Sequence, residues 1–144
     1  MATSLASLWP AVQDLPLAAG MNATGPELRQ KRILLVEDQP AVRGSIALLL
    51  SLDEHTVAEA ADGVEGFALF QPGKFDLVIT DFDMPRMNGD ELARKIKQAC
   101  PSQPVLMITA YAERLGDSDN PVDAMLNKPF QLNDLRRAMA KLLA

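Results

Sequence analysis

The chain has 144 residues, of which 48% are hydrophobic and 23% charged, and its formal net charge is −5. That length suits a single core, and the acidic balance argues against nucleic acid as a main partner, because phosphate backbones are met by basic surfaces. One cysteine, Cys100, excludes an intrachain disulfide, and one histidine, His55, excludes a histidine-rich metal site.

Residues 1–30 read as an arm distinct from the rest. Leu5, Leu8, Trp9 and Val12 share helical spacing. Pro10, Pro16, Gly20, Gly25 and Pro26 break any regular element. The arm is therefore expected either to be loosely held or to lay its apolar stripe on a partner or on its own domain, and Met21 is an alternative start. No Lys or Arg precedes Arg29, so the segment lacks the basic start of a signal peptide. No apolar run approaches the ~20 residues that span a bilayer. A cytoplasmic protein without a membrane anchor is expected.

From residue 31 to 144 the pattern is regular and reads as one domain. Apolar or β-branched runs at 33–36, 56–60, 75–80, 105–109 and 124–127 predict five strands. The first, third and fourth are apolar on both faces, as buried parallel strands are. The second is mixed and suits an edge. The fifth is weak, and its place in the order carries it. His55 is expected at the surface, in a turn before the second strand. Between the strands lie helical patterns. Pro40 suits a first helical turn, with Val42, Ile46, Leu49 and Leu50 on one face. Val64, Phe67 and Ala68 mark a short second helix. Asn88 caps a third, with Asp90 and Glu91 in its first turn and Leu92 and Ile96 inward. Leu132, Leu135, Met139 and Leu142 mark a last one. The helix between the fourth and fifth strands is expected to be short or irregular, since Gly116, Asp117, Asp119, Asn120 and Pro121 oppose it. Alternation of this kind predicts an α/β fold, a parallel sheet with helices on both faces. Such sheets bind ligands beyond the carboxyl ends of their strands.

Those ends carry the chemistry. Glu37 and Asp38 follow the first strand, Asp81 the third, Thr109 closes the fourth, and Lys128-Pro129 follows the fifth. Three carboxylates drawn together repel, and a hard divalent cation with oxygen ligands relieves that repulsion. Mg²⁺ and Lys128 would together hold a phosphate, Thr109 would donate to one of its oxygens, and one carboxylate would be placed as a nucleophile.

The runs Ile33-Leu34-Leu35-Val36-Glu37-Asp38, Asp76-Leu77-Val78-Ile79-Thr80-Asp81, Met84-Pro85, Asn88-Gly89, Ile108-Thr109-Ala110 and Asn127-Lys128-Pro129-Phe130 resemble, in order, the signature of the response-regulator receiver family (CheY-like), single-domain type. The resemblance implies a flavodoxin-like five-stranded sheet in the order 2-1-3-4-5. It implies Asp81 as phosphoacceptor, and Asp38, Asp81 and the backbone carbonyl of Asp83 as Mg²⁺ ligands, with Glu37 acting through a water. Thr109 and Lys128 would meet the phosphoryl group, and the Lys128-Pro129 bond would be cis. The phosphoryl donor would be a cognate histidine kinase or a histidine phosphotransferase, and the signal would pass to a protein target. Direct DNA binding is not expected with no segment after the last helix, and a homodimer is admitted.

The sequence departs from the family pattern in three places. Met125 stands where the family usually carries an aromatic residue, which leaves no ring to rotate during switching. Only nineteen positions separate Thr109 from Lys128, and Asp83 adds an acid beside the site. The segment around residues 116–121 is then the expected responding element. Two other functions compete. Asp81-Phe82-Asp83 also resembles the acid pair of haloacid-dehalogenase-type Mg²⁺ phosphatases, and a phosphorylation-independent pseudo-receiver would keep the fold without the reaction.

Overall fold

The computed structural model describes residues 29–112 and 121–143. The stripe Leu5, Leu8, Trp9 and Val12, the start at Met21 and most of the segment around residues 116–121 lie outside the described residues. Five strands, β1 (Arg32–Val36), β2 (Thr56–Ala60), β3 (Leu77–Asp81), β4 (Val105–Thr109) and β5 (Ala124–Asn127), form one parallel sheet in the order β2-β1-β3-β4-β5. The described helices are α1 (Pro40–Ser51), α2 (Gly63–Leu69), α3 (Gly89–Ala99) and α4 (Leu132–Leu143).

Strand alternation builds two cores from one sheet. Ile33, Leu35, Leu77, Ile79, Leu106 and Ile108 face one way, onto Ile46 and Leu50 of α1 and Leu135 and Met139 of α4. Leu34, Val36, Val78 and Val105 face the other way, onto Leu92 and Ile96 of α3. Both faces of β1, β3 and β4 are covered, which is why those runs are apolar without interruption. The chain leaves β1 toward β2 on one side and later toward β3 on the other. The strand order therefore reverses beside β1, and a crevice opens at the carboxyl ends of β1 and β3.

Local chemistry sets the helix starts. Pro40 opens α1. Asn88 and Glu91 exchange hydrogen bonds in a capping box at the head of α3, with Asp90 and Glu91 in the first turn. Asp62 accepts from the Glu65 N–H and caps α2. In α2, Phe67 packs against the core as its spacing suggests, while Val64 and Ala68 are exposed and the fully buried residues are Gly63 and Gly66. The helix lies so close to the sheet that a Cβ on Gly66 would stand 2.8 Å from Val36 Cγ2. The third strand also starts later than the apolar run suggests, at Leu77. Phe75 is buried but precedes the ladder, and the Asp76 carboxylate accepts from the Arg32 N–H at 2.8 Å. The weak fifth strand is held at its start by Asp123, whose Oδ2 accepts from the Val105 N–H at 2.8 Å and from Lys97 Nζ at 2.7 Å.

His55 precedes β2 but is buried, contrary to expectation. Its Nδ1 accepts a hydrogen bond from the Lys31 N–H at 3.0 Å, a role open to the neutral ring. Burial holds its pKa below the ordinary 6.5, against the opposing pull of Asp53. Next to it, Asp53 and Arg136 form a buried two-pronged ion pair, with Nε and Nη2 each 2.9 Å from a carboxylate oxygen. This pair ties the turn after α1 to the last helix.

Two outcomes follow. Asp53→Ala leaves the Arg136 guanidinium buried without its partner and should lower unfolding stability by about 3–5 kcal/mol in urea titrations. For His55 the depressed folded pKa means the unfolded chain takes up the proton first, so its contribution to stability declines as pH falls through 6.5. The difference in unfolding free energy between the parent and His55→Asn should shrink over that range.

Candidate metal and phosphoryl site

The crevice at the sheet's carboxyl edge gathers the predicted acids. Oxygen atoms of Glu37, Asp38 and Asp81 all lie within 4.8 Å of one another. β1 delivers the first two by ending at Val36, and β3 delivers Asp81 as its last residue. Glu37 and Asp81 are buried, and Asp38 is half-buried. Lys128 reaches the same place from the end of β5. Its Nζ is 2.8 Å from Asp81 Oδ1 and 3.2 Å from Glu37 Oε1. The Lys128-Pro129 bond is cis.

Thr109 is buried at the end of β4, next in line after Ile108, which is paired with Asp81. Its hydroxyl oxygen accepts from the Tyr111 N–H at 3.0 Å, and its carbonyl accepts from the Lys128 N–H at 2.9 Å. Thr109 and Lys128 are thus joined through the backbone. Asp83 is exposed and lies outside the three-acid cluster. Met125 is half-buried in β5, in register with Met107.

Charge in this crevice is out of balance. Burial raises the pKa of Asp81, and Asp38 and Asp83 add to the rise, while Lys128 opposes it without cancelling it. Burial likewise raises Glu37, with Asp81 adding to it, against the Gln39 N–H and Lys128. For Lys128, burial is the largest single influence and favours the neutral amine. The contacts with Asp81 and Glu37 together outweigh it and raise the pKa. One ammonium therefore does not satisfy the carboxylates around it. A compact set of oxygen donors with surplus negative charge is the donor chemistry that a hard divalent cation such as Mg²⁺ requires, so the residues fit that ion.

The backbone around Asp81 is equally constrained. A Cβ on Gly89 would collide with the Asp81 carbonyl oxygen, and Gly89 N–H donates to Phe82 O at 2.9 Å. Only glycine lets the head of α3 approach this closely. Arg86 (φ 68°), in the connection between β3 and α3, forms an ion pair with Asp62. Sequence reasoning missed that pair, and it missed Arg43, whose Nη1 donates to Glu37 O at 2.8 Å. Arg43 sits six positions past Glu37, and only the turn into α1 brings the two together.

A raised carboxylate pKa means the folded chain binds the proton more readily than the unfolded chain. Stability should therefore fall as pH rises from the ordinary aspartate value of 3.8 through the elevated folded value. Asp81→Asn removes that burden. In metal-free buffer the variant should resist urea better than the parent at neutral pH, and the advantage should vanish as pH falls toward 3.8.

Comparison with known proteins agrees with this geometry. The family profile "response regulator receiver domain" matches residues 33–140. Response regulator MprA of Mycobacterium sp. (strain KMS) is 38% identical over 115 residues, covering 78% of this chain and 50% of that protein. The chain thus spans about half the length of the curated relatives it matches. Among solved structures, response regulator TrrA of Thermotoga maritima, in complex with Mg²⁺-BeF, superposes with a TM-score of 0.73 at 32% identity, covering 78% of this chain and 99% of that one. The receiver domain of a Pseudomonas aeruginosa sensor histidine kinase, with a magnesium ion in its active-site cleft, gives 0.71 at 27% identity, covering 78% and 97%. With the profile running from the first strand into the last helix over this sheet order, the chain belongs to the response regulator receiver domain family.

Proposed function

We propose that this receiver accepts a phosphoryl group on Asp81 in a Mg²⁺-dependent reaction and passes the signal on by protein contacts. The observation that carries the reading is the placement of Asp81, buried at the end of β3 with two further acids within 4.8 Å and Lys128 Nζ at 2.8 Å. An Asp81 carboxylate oxygen attacks the phosphorus of a phosphohistidine. The new O–P bond forms as the N–P bond breaks, and the imidazole leaves with its electron pair. Asp38, Asp81 and the Asp83 backbone carbonyl would hold Mg²⁺, with Glu37 acting through a water. The ion, when bound, offsets negative charge on the transferring group. Lys128 leaves Asp81 Oδ1 for a phosphoryl oxygen, and the Thr109 hydroxyl donates to another.

The donor in this reading is a cognate histidine kinase or histidine phosphotransferase, and the recipient of the signal is a protein target. Residues 31–144 carry the chemistry, and the arm at 1–30 supplies none of the clustered acids. No helix among the described residues is long and apolar enough to cross a membrane, and we place the reaction in the cytoplasm, where receivers meet their kinases. The family match leaves the dehalogenase-type phosphatase without support, and the complete acid–lysine set favours a working receiver over a pseudo-receiver.

Incubation with an acyl phosphate and Mg²⁺, followed by intact-mass measurement, tests the reading. The parent should gain one phosphoryl group, Asp81→Asn none, and a chelator should slow the gain severely. Full modification of Asp81→Asn would remove Asp81 from its assigned role.

A further inference from the structure

Glu37 is held at four points. Its N–H donates to Ala60 O at 3.0 Å, its Oε2 accepts from the Gln39 N–H at 3.2 Å, and its Oε1 accepts from Lys128 Nζ at 3.2 Å. The fourth contact is on its carbonyl, which accepts from Arg43 Nη1 at 2.8 Å. Arg43 stands in the first turn of α1, and its own N–H donates to Gln39 O at 2.9 Å, so the start of the helix fixes where it stands. Nε of the same guanidinium lies 3.4 Å from Glu59 Oε1 on the edge strand β2. One side chain thus joins the β1–α1 connection, α1 and β2. It is not one of the clustered acids and supplies no metal ligand.

We infer that Arg43 is a positioning residue for the acidic pair Glu37 and Asp38. The ladder pairings of β1 end at Val36, and beyond them the Glu37 N–H still bonds to β2, whereas the Glu37 carbonyl is held by Arg43 and not by a strand. The Glu37 carbonyl belongs to the planar peptide that joins Glu37 to Asp38. Holding that carbonyl fixes the plane, and with it the directions in which the two carboxylates leave the backbone. Partners of this outer kind typically change metal affinity by 10–100-fold when removed. The inference rests on the reading of the cluster as a Mg²⁺ site.

Arg43 has a second conceivable effect of opposite sign. As a positive charge near the cluster it repels a cation, so its loss through charge alone would tighten Mg²⁺ binding. Positioning predicts the reverse. The test uses the full chain and measures Mg²⁺ affinity by calorimetry for the parent, Arg43→Met and Arg43→Lys. Metal-free amide hydrogen exchange at residues 37–39 is measured beside it. Arg43→Met keeps an apolar stem and loses the donor and the charge. It should bind Mg²⁺ about tenfold more weakly and exchange faster at residues 37–39. Arg43→Lys, which keeps one donor, should recover most of both. Affinity in Arg43→Met equal to or tighter than the parent's would overturn the positioning role. If the parent binds no Mg²⁺, the metal reading fails, and exchange still decides the positioning: unchanged protection in Arg43→Met rejects it. If Arg43→Met does not fold, Glu59→Gln read by exchange stands in, with faster exchange at residues 37–39 supporting the role and unchanged exchange rejecting it.

Discussion

A single ammonium shared between two buried carboxylates is the condition that organises this molecule. Lys128 Nζ lies within 3.2 Å of both Glu37 and Asp81, yet burial still raises both acids. The site is built to be short of positive charge. A compact cluster of oxygen donors with surplus negative charge has the chemistry that suits a hard divalent cation. The same shortage sets the two pocket carboxylates apart from those on the surface. An exposed aspartate is stabilised by water, and the buried one depends on what the protein and its ligands provide.

The sheet supplies the geometry that keeps this arrangement from relaxing. Reversal of strand order beside β1 puts the ends of β1 and β3 side by side, and β4 and β5 bring Thr109 and Lys128 to the same edge. Apolar layers on both faces leave the strands little freedom to shift. Gly89 lets the head of α3 rest against the Asp81 backbone, and Gly66 lets α2 settle onto Val36. Asp81 therefore cannot retreat from its neighbours by moving its main chain.

Much of this was legible in the sequence because it depends on local pattern. Runs apolar on both faces marked β1, β3 and β4, and the mixed run at 56–60 proved to be the edge strand β2. The capping box at Asn88 and Glu91 is a four-residue signal and was readable as such. The acids were visible because they stand where apolar runs end. What was not legible depends on distance along the chain or on close approach. Nothing near His55 announces that Lys31 will donate to its ring. The inward glycines of α2 carry no hydrophobic signal, and of the periodic set Val64, Phe67 and Ala68 it is Phe67 that packs inward. Asp53 and Arg136 are separated by 83 positions, and neither residue type suggests burial.

That last pair has a consequence for how the chain is made. Arg136 is synthesised only after the rest of the sheet, whereas Asp53 emerges early, in the turn between α1 and β2. Until α4 arrives, Asp53 has no counter-charge and stays open to water, and the apolar face that α4 covers is bare. Burying that acid ahead of its guanidinium would be costly, and the last helix brings apolar cover and the cation together. A nascent chain ending short of Arg136 would be an unfinished receiver, with an unpaired acid to mark it so.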